Sequence, residues 1–295
     1  MTVLFECTYR GRRHIGLGLP RDGEPLTLTP LGERDLLTPL AAGEDITELL
    51  ADAEWLTVAP AERDAVGYRP PLLPERPGDA LVGGFMQTHN VKVDAETPAQ
   101  PAWFLKGLGD VLRTPGQELR APASAVALTE EAEIVLVYIG DADGLPRYVG
   151  YTFGNDLTDI GRFRNHRGHL SYAKLCDAGV APWLFLGEPP HEVTGRVTVE
   201  RHEALCWQGE FTTGTKALHY GLDAITDELF SHHTLLAPGR VHYVYIGADR
   251  SSFHDGFRIA DGDRVTLDFE SHGVTVSNPV RRASPGPAPA ARETP

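Results

Sequence analysis

The chain has 295 residues, 41% of them apolar and 23% charged, which is enough to bury a sizeable core and too apolar for a disordered protein. Its net charge of −14 argues against nucleic acid or an anionic membrane as partner, so an anionic substrate has to be met by locally placed cations. No apolar run reaches bilayer length, and the start Met-Thr-Val-Leu-Phe-Glu-Cys has neither a basic segment nor a cleavage site. Cys7, Cys176 and Cys206 are odd in number, widely spaced and lack a CxxC pair. They point to a reducing cytoplasm and away from a disulfide frame or a thiolate zinc site.

In chain order, residues 1–66 read as a small β-rich N-terminal domain. Val3 to Tyr9 and His14 to Leu17 form a hairpin around Arg-Gly-Arg-Arg, and Asp45 caps a short helix reaching Ala53. Residues 67–80, rich in proline and arginine, are a linker. Residues 81–280 form the main domain. It opens with a strand from Leu81 to Met86 and a polar segment, residues 87 to 96, with the character of either a mobile lid or a surface loop. A strand from Ala102 then ends at Lys106, whose side chain reaches the site or caps the strand in solvent. The basic stretch Ile160 to Lys174 stands out in so acidic a chain, with Arg164 and Lys174 placed to meet a carboxylate or merely to form a solvated face. A buried strand from Val180 to Leu186, a hairpin from Gly195 to Trp207, a helix from Gly221 to His233, and strands from Val241 and Val265 follow. Residues 281–295 are a disordered tail. Many short strands, Gly/Asp turns and few helices predict a β-dominated α+β fold with a rolled sheet.

The stretch with most chemical content is Glu131-Ala-Glu-Ile-Val-Leu-Val-Tyr-Ile-Gly140. Its apolar run predicts a strand buried on both faces, turning at Asp-Ala-Asp-Gly144 into a second strand from Arg147 to Phe153. Side chains alternate along a strand, so Glu131 and Glu133 share a face, and the hairpin brings Asp156 towards them. Three buried carboxylates need a cation. Oxygen-only ligation favours Mg²⁺ or Mn²⁺ ahead of Ca²⁺. Each acid also has a plainer reading: Glu131 as a solvated strand edge, Asp156 as a helix N-cap.

With these pieces in place, roughly residues 100 to 280 resemble the fumarylacetoacetate hydrolase family. The resemblance rests on Phe104-Leu-Lys106, Glu131-Ala-Glu133-Ile, Gly150-Tyr-Thr-Phe-Gly-Asn-Asp156, Ala173-Lys174, Val180-Ala-Pro-Trp, Pro238-Gly-Arg, and Gly262-Asp-Arg-Val with Asn278-Pro-Val. It is nearest the branch associated with sugar-acid catabolism, which carries a segment like Pro238-Gly-Arg-Val-His242.

The resemblance implies a β-roll catalytic domain with a small N-terminal domain, a homodimer, metal ligation by Glu131, Glu133 and Asp156, and a site lysine at Lys174. It implies 2-oxo or 1,3-dioxo acid substrates and activity through a metal-stabilised enolate, as C–C hydrolysis or dehydration of a 3-deoxy-2-oxo sugar acid. His89 and Glu96 are the nearest counterparts of the family's water-priming lid pair, though their spacing departs from the usual one. Arg164, Lys106 and Ser251 are candidates to bind substrate. The family's Thr-Gly-Thr is Ile246-Gly-Ala248 here, which leaves Ser251 or Ser252 as the nearest hydroxyls and implies altered substrate recognition. Two rivals remain at this stage: a lyase or isomerase of specialised metabolism acting on a larger oxo compound, and a non-catalytic binding protein on the same fold.

Overall fold

The computed structural model describes residues 2–21, 23–32, 36–93 and 97–284. Its largest sheet is organised around the strand Ala132–Gly140, which pairs antiparallel with Pro146–Asp156 on one edge and with Val241–Tyr245 on the other. Beyond Val241–Tyr245 come Ala80–Met86, in parallel, and Ala102–Leu108. Beyond Pro146–Asp156 come Trp183–Leu186 and then the N-terminal strands Thr2–Tyr9, Arg12–Leu17, Leu26–Pro30 and Leu56–Val58. A second sheet has the order Ala204–Thr213, Val193–Arg201, Arg264–Phe269, Val274–Arg282 and Leu119–Ala121.

Local sequence accounts for the layering. In the second sheet Val197, Val199, Val265, Leu267 and Phe269 alternate with polar residues, so only one face of each strand is apolar. Those residues pack against Ile134, Leu136 and Phe153 of the first sheet. The opposite face of the central strand, Val135, Val137 and Ile139, packs on Leu40 and Ile46 of two short N-terminal helices and on Tyr243 and Tyr245. Ala132–Gly140 is therefore buried along its whole length. The predicted turn is closed by Asp141 Oδ1, which accepts the N–H groups of Asp143 at 3.0 Å and Leu145 at 2.9 Å.

Three details differ from the sequence reading. The strand predicted from Val180 to Leu186 is two strands, Ala178–Val180 and Trp183–Leu186. Pro182 lies between them, where it has no N–H to give to a ladder. The second strand reaches Asp156 rather than ending at Phe153, so Asp156 is a strand residue and not a helix cap. Asp159 takes the cap, accepting the Arg162 N–H at the start of the helix Ile160–Asn165. Of the tail expected over 281–295, Arg281 and Arg282 instead end the strand Val274–Arg282, paired with Arg120 and Ala121, and residues 285–295 lie outside the described ones. No described helix is long and apolar enough to cross a membrane.

His242, opposite Tyr138 in the ladder, is buried and stands edge-on to Phe230. Burial, with the Arg240 charge in second place, lowers its pKa to about 4. The unfolded chain therefore takes up a proton between about pH 6.5 and 4 that the folded chain refuses, and stability falls as pH drops through that window. In urea unfolding followed from pH 7 to 4, His242→Leu is expected to lose roughly 3 kcal/mol less stability than the wild type.

Candidate metal centre

The hairpin register builds the centre. Glu133 lies opposite Gly154, and the Asp156 N–H donates to the Glu131 carbonyl at 3.0 Å. Cross-strand neighbours share a face, so Glu131, Glu133 and Asp156 converge. One oxygen from each lies within 4.8 Å of the other two, and all three residues are buried. Gly154 makes the approach possible, since a Cβ there would meet the Gly179 carbonyl oxygen at 2.5 Å and the Tyr245 ring at 2.8 Å.

Two lysines sit within this cluster. Lys174 Nζ bonds Glu131 Oε2 at 2.6 Å, Thr158 Oγ1 at 2.9 Å and, more closely, Asp156 Oδ2. It also lies 4.4 Å above the Phe104 ring. Burial opposes the charge of Lys174, but Asp156, Glu131 and Glu133 outweigh it and raise the pKa above the ordinary lysine value. Lys106 Nζ contacts Asp156 Oδ1 at 2.6 Å and donates to the Leu157 carbonyl at 2.7 Å. The exposure of its side chain is 0%, so the ammonium does not reach the cavity and is a partner of Asp156 instead. A third lysine, Lys92, stands 3.4 Å from Glu131 Oε1.

The acids differ in how well they are matched. Burial raises the pKa of Glu131, but the Lys174 and Lys92 charges and the Lys174 and Thr158 hydrogen bonds outweigh it and hold it at about 2. Glu133 goes the other way. Burial, then the Asp156 and Glu131 charges, push it well above the usual carboxylate range. Its recorded hydrogen bond is the Gly247 N–H on Oε2 at 2.6 Å, and among the described residues no ammonium is paired with it. An all-oxygen donor set with one carboxylate short of positive charge fits a hard divalent cation.

Glu131, Glu133 and Lys174 open onto a cavity of about 470 Å³. Phe85, Met86, Val91, Ile160, Phe163 and Phe253 give it an apolar wall, and Lys92, Arg164, Arg167, Ser251 and His254 supply polar groups. Arg164 and Ser251, named above as candidates to bind substrate, both line this cavity. His89 does not line this cavity. It is buried, with Nε2 at 2.9 Å from the Thr212 carbonyl oxygen, and faces a neighbouring hollow of about 350 Å³. Glu96 lies outside the described residues.

Several contributors escaped the sequence reading. Gly247 was noted there only as part of a departure from a family pattern, yet its N–H holds Glu133. Its φ is +104°, and a Cβ would fall 1.8 Å from Thr88 Oγ1, which itself donates to the Ile246 carbonyl at 2.6 Å. Glu130, just ahead of the central strand, accepts the Ser252 N–H at 2.7 Å and the Ser252 hydroxyl at 2.5 Å. Lys92, one of four lysines in the chain, was given no role from the sequence, yet it stands beside Glu131.

No family profile and no curated protein matches the chain. Solved structures do. A 2-keto-3-deoxy-D-arabinonate dehydratase is 13% identical with a TM-score of 0.68, covering 96% of this chain and 100% of its own. The same enzyme described with magnesium and 2,5-dioxopentanoate gives 14% and 0.67 over the same shares. The 2-hydroxyhepta-2,4-diene-1,7-dioate isomerase of Mycobacterium marinum is 20% identical with a TM-score of 0.65, covering 97% and 100%. The chain therefore has the fumarylacetoacetate hydrolase fold, β-dominated as expected, over nearly its whole length.

Gly247→Ala is expected to lower the urea unfolding free energy by about 2–4 kcal/mol, from backbone strain and overpacking together. Adding Thr88→Ala removes the nearest clashing atom and is expected to recover part of that loss. Equal stability of the single and double variants would show that Thr88 is not the obstacle.

Proposed function

We propose that the chain is a divalent-metal-dependent enzyme of the fumarylacetoacetate hydrolase family. Its substrate is a 2-oxo or 1,3-dioxo acid, and its reaction is C–C bond hydrolysis or dehydration of a 3-deoxy-2-oxo sugar acid. One observation carries this reading. Three buried carboxylates converge, two of them lining a cavity, and Glu133 among them accepts a backbone N–H while no ammonium among the described residues is paired with it. The neighbour described with magnesium and a dioxo acid supports the same choice of ion and ligand class.

Glu131, Glu133 and Asp156 would hold the ion, with Mg²⁺ or Mn²⁺ preferred. Bound there, it supplies Lewis-acid polarisation of an oxo group and its neighbouring carboxylate. The rest is work for the chain's own side chains. Lys174, fixed on the cavity wall by Glu131 and Asp156, sets positive charge beside the place where an enolate oxygen develops. Arg164 and Arg167 bring two guanidinium groups to the cavity for a carboxylate. Phe85, Met86, Ile160, Phe163 and Phe253 give the cavity apolar lining that limits water around the reacting groups.

The test is a thermal shift with Mg²⁺ or Mn²⁺, followed by turnover assays on a panel of 2-oxo and 1,3-dioxo acids with oxalate as inhibitor. Glu133→Gln is expected to lose most of the metal-induced shift together with activity, because one ligand charge goes while volume stays. Lys174→Ala is expected to keep the metal-induced shift, lower the metal-free melting temperature, and reduce kcat by about a hundredfold or more, the scale of losing one preorganised charge-stabilising group. A fully metallated, active Glu133→Gln protein would overturn the assignment.

A further inference from the structure

The 252–255 turn carries one cavity group that the proposed chemistry leaves unused. His254 lies at the cavity mouth, on a short 3-10 turn spanning Ser252–Asp255. Its ring is folded back on the start of that turn. The Ser251 N–H donates to His254 Nδ1 at 3.2 Å, and the same atom lies 3.2 Å from Ser251 Oγ and 3.3 Å from the Ser251 carbonyl oxygen. The N–H can only donate and is the shorter of the two backbone contacts, closing a capping box on the ring, so we assign Nδ1 as the acceptor and the proton of the neutral ring to Nε2. Among the described residues no protein partner is recorded for Nε2. Burial, then the Lys92 charge, lower the pKa of the ring, although it is half open to solvent. This agrees with the neutral form inferred from the hydrogen bonds.

The turn is tied to the metal acids by a short path. Ser252 offers its N–H and its hydroxyl to the two oxygens of Glu130, which directly precedes Glu131. Glu130 and Ser252 are both buried, so His254 is held at a set distance from the three carboxylates by groups that solvent does not reach. Arg164 and Arg258 approach the neighbouring Phe253 ring and further pin the turn.

We propose that His254 reads the substrate: its neutral ring donates a hydrogen bond from Nε2 to an oxygen of the bound oxo acid on the side away from Glu131, Glu133 and Asp156. This rests on the metal-dependent oxo-acid reading above and adds a specificity residue to it. A ligand long enough to carry a second oxo group gains the bond, and a two-carbon ligand does not.

The test uses the full-length protein, loaded with Mg²⁺ for the binding measurements. Calorimetry compares 2,4-dioxopentanoate with oxalate in the wild type and in His254→Gln, His254→Asn and His254→Phe. The glutamine amide can present an N–H near the position of Nε2, whereas the asparagine amide corresponds to Nδ1. The expected result is weaker binding of 2,4-dioxopentanoate by about tenfold in the Asn and Phe variants, near-wild-type binding in the Gln variant, and unchanged oxalate binding in all. Unchanged 2,4-dioxopentanoate binding in all three variants overturns the proposal, as does an equal loss for both ligands. If the wild type binds neither ligand with Mg²⁺, the metal-dependent reading itself fails. Nitrogen NMR of the metal-free protein reads the ring independently: a proton on Nδ1 would overturn the assignment regardless of any ligand.

Discussion

The rest of the site depends on the encounter of Lys174 with Glu131 and Asp156. Three carboxylates drawn below the surface by one hairpin repel each other and lose hydration, and only buried cations make that arrangement tolerable. Lys174 bonds two of the acids, and Lys106 closes on the far side of Asp156. Their geometry leaves Glu133 facing the cavity, where among the described residues its hydrogen-bond donor is the Gly247 N–H. The imbalance is local and directional, which distinguishes a centre able to accept a further cation from a self-contained structural ion pair.

The segment entering the central strand does two jobs at once. Glu131 and Glu133 project towards Asp156, while Glu130, just ahead of the strand, turns the other way and grips Ser252. The chemistry-bearing acids and the anchor of the cavity mouth are thus neighbours in sequence. A shift of register by one residue would exchange them, placing Glu130 among the lysines and leaving the 252–255 turn without its anchor.

Much of this was legible in the residues. The unbroken apolar run after Glu133 and the Asp-Gly turn announced a hairpin, and a period of two put Glu131 and Glu133 on one face. The family motifs led from there to the β-roll. Other features were hidden because they depend on contacts far apart in the chain. Gly247 meets Glu133 across 114 positions and Ser252 meets Glu130 across 122, and nothing in either local segment signals the other. Lys106 illustrates a related difficulty. A lysine near a strand end normally reaches water, and only the packing of Leu157 and Asp156 around it shows that this one does not. His89 was the nearest counterpart of the family's lid histidine, yet its ring is taken up by the Thr212 carbonyl.

The central strand has hydrogen-bonded neighbours on both edges and packed cores on both faces. No fraying of an end or lifting of a loop exposes its peptide groups. Its amide protons therefore trade with deuterium only when the whole molecule opens, and the acids it carries keep their spacing for as long as the chain remains folded.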